Sequence, residues 1–204
     1  MSKLIKITPI EDEFVISWIM HLRCNYDCMY CPENRHNNNG EMKSLDELKQ
    51  YWLQIYNNTK HLNKKYKLQL TGGEITINKS FLPFIEFLRT EFGDKISHLG
   101  MNTNGSASTN YYLKVLKYVD SISFSTHTEH MDVDKFFATV KACSDYVRDI
   151  PKKTCHLNIM DEYWAEEQIE DFVQRCKNDK IFYSMSPIFW QHKTRDHPIF
   201  KIKS

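Results

Sequence analysis

Cys24-Asn25-Tyr26-Asp27-Cys28-Met29-Tyr30-Cys31 is the stretch on which the reading of this 204-residue chain turns. The spacing is C-x3-C-x2-C, with an aromatic residue just before the last cysteine. Three thiolates this close in sequence converge on one centre. A structural zinc is almost always four-coordinate, and ordinary iron–sulfur clusters take four cysteines. A cluster held by three leaves one iron open to an outside ligand. An open metal position serves chemistry rather than the stapling of a fold.

The rest of the composition supports a metal reading in a reducing compartment. Lysine and arginine number 27 against 26 aspartates and glutamates, so no electrostatic case exists for a nucleic-acid or membrane partner. The first ten residues carry no long apolar stretch, which argues against a signal peptide. No run approaches the about 18 apolar residues of a membrane span, and the expected location is cytoplasmic. Of the six cysteines, Cys143, Cys155 and Cys176 are scattered, and are expected to pack as small hydrophobes in the core.

Outward from the cysteines, strand, turn and helix repeat down the chain. A strand over Phe14–Met20 leads straight into the cysteine loop. The polar stretch 33–40 precedes a helix opened by the capping box Ser44…Glu47, with Leu45, Leu48, Trp52 and Tyr56 at helical spacing. Strand two is Lys67–Leu70, followed by Thr71-Gly72-Gly73-Glu74 and a helix from about Ser80 to Phe92. Strand three, about Ile96–Met101, ends in Asn102-Thr103-Asn104-Gly105, and its helix is expected over Thr109–Val119. Strand four is Ser121–Ser125, with a helix near Asp134–Val147. Strand five is Cys155–Met160, with a helix carrying Ala165, Ile169, Phe172 and Cys176, and strand six is Ile181–Met185. Such alternation predicts an α/β fold with a parallel sheet and right-handed crossovers. Six units are too few for a closed eight-stranded barrel. A curved, open partial (β/α)6 TIM-like barrel with outer helices is expected, as a single domain over residues 1–204.

Every unusual motif follows a strand, where the active sites of such folds sit. The period of two places Ser121, Ser123, Ser125 and His127 on one face of strand four, and His156, Asn158 and Met160 on one face of strand five. On strand two, Gln69 and Thr71 share a face. Parallel strands covered on both faces read as apolar runs. A polar face therefore predicts a lumen that holds a polar ligand, or polar groups that satisfy one another.

These features resemble the radical S-adenosylmethionine (SAM) superfamily. Cys24, Cys28 and Cys31, with Tyr30 as the aromatic residue, match its CxxxCxΦC motif, and Gly72-Gly73-Glu74 matches its GGE motif at the end of strand two. The resemblance covers about Phe14 to Met185. It implies that the three cysteines hold a 4Fe-4S cluster whose fourth iron is chelated by SAM. It implies reductive cleavage of SAM to methionine and a 5′-deoxyadenosyl radical that abstracts hydrogen from a substrate, expected to be a small molecule, nucleoside or sugar. An electron donor such as flavodoxin or ferredoxin is implied as a partner. By the same match Gly72 and Gly73 offer backbone to the methionine end of SAM, and Glu74 an acceptor for its ammonium. Tyr30 lies by the adenine, Ser123 and Ser125 contact ribose or carboxylate, Asn158 contacts ribose, and Asn104 belongs to a T-N-G turn near the cofactor.

The chain also departs from the family pattern. Ile75 stands where many members have proline, and no auxiliary-cluster cysteines follow strand six. After strand four the sequence is Ser125-Thr126-His127-Thr128-Glu129-His130. His127 and Glu129 are candidates for binding substrate or moving a proton. The aromatic tail from Ser186 is expected to cover the open edge or the mouth of the barrel. Two further readings stay open: an activase or peptide-modifying enzyme with a protein or peptide partner, and a structural zinc or iron–sulfur module that recruits His21 or His36.

Overall fold

Period-two alternation in the strands and period-3.6 stripes in the helices decide how this chain layers. In the computed structural model, residues 13–31, 37–161 and 166–188 are described. The expectations placed on residues 1–10, on His36 and the first part of the stretch 33–40, on Ala165, and on the tail from residue 189 onward lie outside them. Along the described chain the elements are β1 Glu13–Ile19, α1 Leu45–Thr59, β2 Lys65–Thr71, α2 Phe81–Phe92, β3 Ile96–Thr103, α3 Thr109–Val115, β4 Ser121–Ser125, α4 Val133–Val147, β5 Thr154–Asp161, α5 Glu166–Asp179 and β6 Phe182–Pro187.

The sheet runs β1-β2-β3-β4-β5-β6, with each neighbouring pair parallel. A strand order that never reverses, joined by right-handed crossovers, puts all the helices on one side. A doubly wound sheet would reverse its order and carry helices on both faces. Here the sheet curves around its helix-free face, and the result is the open partial barrel that the alternation predicts.

The convex face builds the core. Leu68, Leu70, Met101, Ile122, Phe124, Leu157 and Ile159 are fully buried under the helices. Facing them are Leu48 and Trp52 of α1, Phe81, Phe84, Ile85 and Leu88 of α2, Phe136, Phe137 and Val140 of α4, and Ile169 and Phe172 of α5. Cys143, Cys155 and Cys176 are buried in this layer. Burial pushes the Cys143 thiol up to about 12 and the Cys176 thiol up to about 11, so both act as apolar filler. The capping box opens α1 as read: the Ser44 side chain accepts from the Glu47 N–H, and Glu47 accepts from the Ser44 N–H. The third helix is shorter than expected. It ends at Val115 rather than Val119, and the chain turns through residues 116–119 instead. Lys153 Nζ donates to the Leu116 and Val119 carbonyls at 2.6 and 2.7 Å, which satisfies acceptors that a continuing helix would have used.

Registration across the concave face sets polar residues side by side. Gln69 pairs with Gly100 and then Ser121. Asn102 pairs with Ser123, then His156. Ser125 pairs with Asn158, which pairs in turn with Ser184. Neighbours bond within this face: Gln69 Nε2 donates to Asn102 Oδ1 at 2.8 Å, His98 Nε2 lies 2.9 Å from Ser121 Oγ, and Ser186 Oγ donates to Asn158 Oδ1 at 2.6 Å. The polar lumen is therefore partly self-satisfied.

Phe124 ties this framework together, since its ring meets Tyr112 at 4.9 Å and Phe136 at 6.3 Å with no exposure to solvent. Phe124→Ala is expected to lower the unfolding free energy by about 3–5 kcal/mol, the usual cost of emptying an aromatic site in a core. Chemical denaturation measures it, and a loss below about 1 kcal/mol would show that the core does not close on this ring.

Candidate active site

A cavity of about 460 Å³ opens at the C-terminal ends of the strands. Its volume is that of an ordinary small-molecule site. Cys24, Cys28 and Cys31 line one wall with Tyr26 and Tyr30, and Gly72 and Gly73 lie beside them. Asn102 and Thr103 of β3 with Asn104 after it, Ser125 of β4 with His127 after it, Asn158 and Met160 of β5, and Thr71, Pro187 and Ile188 complete the wall. The motifs that follow four different strands thus meet in one place.

Main-chain hydrogen bonds hold the cysteine loop. After β1 the backbone runs along the Gly72-Gly73 turn, with the Gly73 N–H donating to the His21 carbonyl at 2.8 Å and the Glu74 N–H to the Arg23 carbonyl at 2.9 Å. Two backbones this close leave no room for a side chain. A Cβ on Gly73 would sit 2.1 Å from the Arg23 carbonyl oxygen, and one on Gly72 2.3 Å from that of His21. Gly72 also has φ at +151°, which L-residues seldom adopt. The glycines were expected to make room for SAM; their first demand comes from the chain's own loop.

Glu74 has no exposure, and its carboxylate does not line the cavity. It accepts from the Thr76 N–H at 3.0 Å, the Thr76 hydroxyl at 2.6 Å, the Thr103 hydroxyl at 2.9 Å and the Asn104 N–H at 2.6 Å. Burial pushes its carboxyl up, against the pull of these donors. Thr103 also bonds the buried Tyr112 hydroxyl at 2.8 Å. The side chain expected to receive an ammonium group is a buried brace that joins the end of β2 to the end of β3. Asn104 extends the brace to the cysteines: its amide donates to Asn25 Oδ1 at 3.0 Å and lies 3.9 Å from Cys24 Sγ.

Loop residues after β4 also reach the cysteine loop. His127 Nδ1 lies 3.3 Å from Cys28 Sγ and 2.5 Å from the Tyr30 hydroxyl. Glu129 Oε2 accepts from the Met29 N–H at 3.2 Å and pairs with His130 at 3.6 Å. Burial, with the charge of His130 behind it, pushes His127 down to about 4. Of the polar residues expected to touch the cofactor, Ser125 and Asn158 line the cavity. Ser123 does not; its hydroxyl lies 3.4 Å from His156 Nδ1, deeper in the lumen. Tyr26, Asn102, Thr103 and Met160 are wall residues to which the sequence reading gave no role, although the alternation of β3 and β5 places Asn102 and Met160 on the lumen face.

The donor set fits an iron–sulfur cluster. Burial, before any other cause, pushes the Cys24 and Cys28 thiols up, so a positive centre is needed to make thiolates of them. Among the described residues no three of His, Cys, Asp or Glu are gathered tightly enough for a single metal ion. A cluster meets each thiolate through a different iron and asks for a wider spread. His21, which a zinc site would recruit, is buried with both ring nitrogens unpartnered, and is not in the cavity wall.

A family profile described as the Radical SAM superfamily matches residues 18–176. No curated protein matches the chain by sequence. Among solved structures, Streptococcus suis SuiB bound to precursor peptide SuiA is similar, with a TM-score of 0.64 and 17% identity over 88% of this chain and 40% of that one. Histidine-tagged anSMEcpe with bound AdoMet is similar with a TM-score of 0.62 and 16% identity, over 87% of this chain and 50% of that one. The chain spans half or less of the length of these two structures, and the likeness is one of fold.

Glu74→Gln swaps an acceptor for a donor among four donors, and is expected to cost about 2–3 kcal/mol of stability despite equal size. Equal unfolding midpoints for the two proteins would remove Glu74 from its bracing role. Gly73→Ala is expected to displace the cysteine loop and abolish iron uptake in a chain that keeps its far-ultraviolet dichroism; full iron binding would contradict the close approach.

Proposed function

The chain belongs to the radical SAM superfamily, and from that premise we propose that Cys24, Cys28 and Cys31 hold a 4Fe-4S cluster whose open iron takes SAM in the cavity they line. The family uses both cofactors. The observation that carries the reading is the convergence of the three thiols and the Gly72-Gly73 turn on one cavity. When bound, the two cofactors supply reductive cleavage of SAM, and with it a 5′-deoxyadenosyl radical for hydrogen abstraction from a substrate.

The remaining roles belong to the chain's own groups. Half-buried Cys24 and buried Cys28 would hold the metal as thiolates, with their protons released to solvent as it binds. Cys24 is poised by the Tyr26 N–H, which donates to its sulfur at 3.4 Å. The Gly72-Gly73 main chain, rather than the Glu74 carboxylate, faces the SAM methionine group, because that carboxylate is occupied by its own donors. Ser125 and Asn158 offer a hydroxyl and an amide to ribose from the opposite wall. Residues 14–185 act as one radical SAM core.

A hydrogen-bonding, uncharged lumen suits a small polar substrate such as a nucleoside or sugar. Among the described wall residues none is Asp, Glu, Lys or Arg. A peptide substrate is the second reading, favoured by the fold's likeness to SuiB, which was solved with a precursor peptide bound.

Anaerobic reconstitution with iron and sulfide, followed by SAM and dithionite, is expected to give a four-iron protein that releases 5′-deoxyadenosine. Alanine at Cys24, Cys28 or Cys31 is expected to abolish both. A single-cysteine variant with full iron content and activity would refute the assignment.

A further inference from the structure

The loop after β4 is built to hold one imidazole still. The Thr126 N–H donates to the Asn158 carbonyl at 3.0 Å, and Thr126 Oγ1 accepts from the Met160 N–H at 2.9 Å, which fixes the chain on β5 as it leaves β4. The His130 and Met131 N–H groups both donate to the His127 carbonyl at 3.0 Å and close the turn. The ring then sits between two tyrosines of the cysteine loop. Tyr26 meets it edge-on at 5.9 Å, and Tyr30 lies parallel to it at 6.0 Å. This clamp places Nδ1 2.5 Å from the Tyr30 hydroxyl and 3.3 Å from Cys28 Sγ. The Tyr30 hydroxyl bonds the same sulfur.

We propose that His127 is a positioning residue that acts through Cys28: its Nδ1–H, shared between the Tyr30 oxygen and the Cys28 sulfur, together with the Tyr30 hydroxyl donating to that sulfur, raises the reduction potential of the cluster. This rests on the reading that Cys28 is a cluster ligand. A thiolate only accepts hydrogen bonds, so the hydrogen between Nδ1 and the sulfur stays on nitrogen. The step affected is the uptake of one electron from an external one-electron donor of the flavodoxin or ferredoxin class. The reduced state carries one more negative charge, partly on its sulfurs. Hydrogen bonds to those sulfurs favour it and set the potential. No bond breaks, and the Nδ1 proton does not move. The two side chains therefore ease the electron transfer that must precede any radical chemistry.

Anaerobic redox titration followed by electron paramagnetic resonance tests this on reconstituted wild type, His127→Leu, His127→Asn and His127→Gln, with iron and sulfide measured on each. Asn places an amide N–H near the position of Nδ1; Leu removes the donor, and Gln carries it past the sulfur. The expected result is a midpoint at the wild-type value for Asn and a more negative one for Leu and Gln. Should the Leu variant fail to assemble a cluster, the difference between Asn and Gln carries the comparison. Equal potentials in all variants at full iron content would overturn the role of His127. A wild-type protein that takes up no iron would overturn the cluster reading instead, so the two failures are distinct.

Discussion

One fully buried carboxylate organises the catalytic edge of this fold. Glu74 collects hydrogen bonds from Thr76, Thr103 and Asn104, and so locks the end of β2 to the end of β3. An ionisable group without solvent is tolerated only when its hydrogen bonds are made. With them made, the turns on either side have one arrangement. The Gly72-Gly73 turn is held open for the loop that leaves β1, and Asn104 is held where its amide reaches Asn25. The cysteine loop is therefore tied to the ends of β2 and β3 through the chain's own hydrogen bonds.

The two loops that carry the chemistry are joined as well as adjacent. From β1 comes the cysteine loop; from β4 come His127 and Glu129, which hold it at Cys28, Tyr30 and Met29. Elements at opposite sides of the cavity share contacts at the proposed ligands of the metal. A site built from several strand ends needs such cross-links, because each loop alone is only as stiff as its own turn.

Much of this was legible in the residues. Alternation such as Leu68 and Leu70 against Gln69 and Thr71 fixed which face of β2 meets the helices, and Ser44…Glu47 marked where α1 begins. The cysteine spacing and Gly72-Gly73, each following a strand, marked two of the loops that line the cavity. What the sequence did not carry was the direction of individual side chains at the strand ends. Glu74 reads as a polar residue in a loop, and points inward because partners some 30 residues away in β3 and its turn complete its bonds. His127 reads as a barrel-mouth side chain, yet its partner is Cys28, 99 residues away. Ser123 shares a face with Ser125 and still misses the cavity, since period-two patterning gives the face but not the depth. Helix α3 stops short of Val119, and Lys153, far along the chain, takes up the Leu116 and Val119 carbonyls beyond its end.

The ties between the cysteine loop and the Gly72-Gly73 turn join main chain to main chain. Such bonds do not register which side chains their residues bear, except that the glycines must bear none. The bonds at His21 and Arg23 are indifferent to those two side chains, whereas between the cysteines the side chains of Asn25, Tyr26 and Tyr30 reach Asn104 and His127. The frame thus places its demands on the two glycines and on those three side chains, and a library that varied the loop would have to hold them fixed.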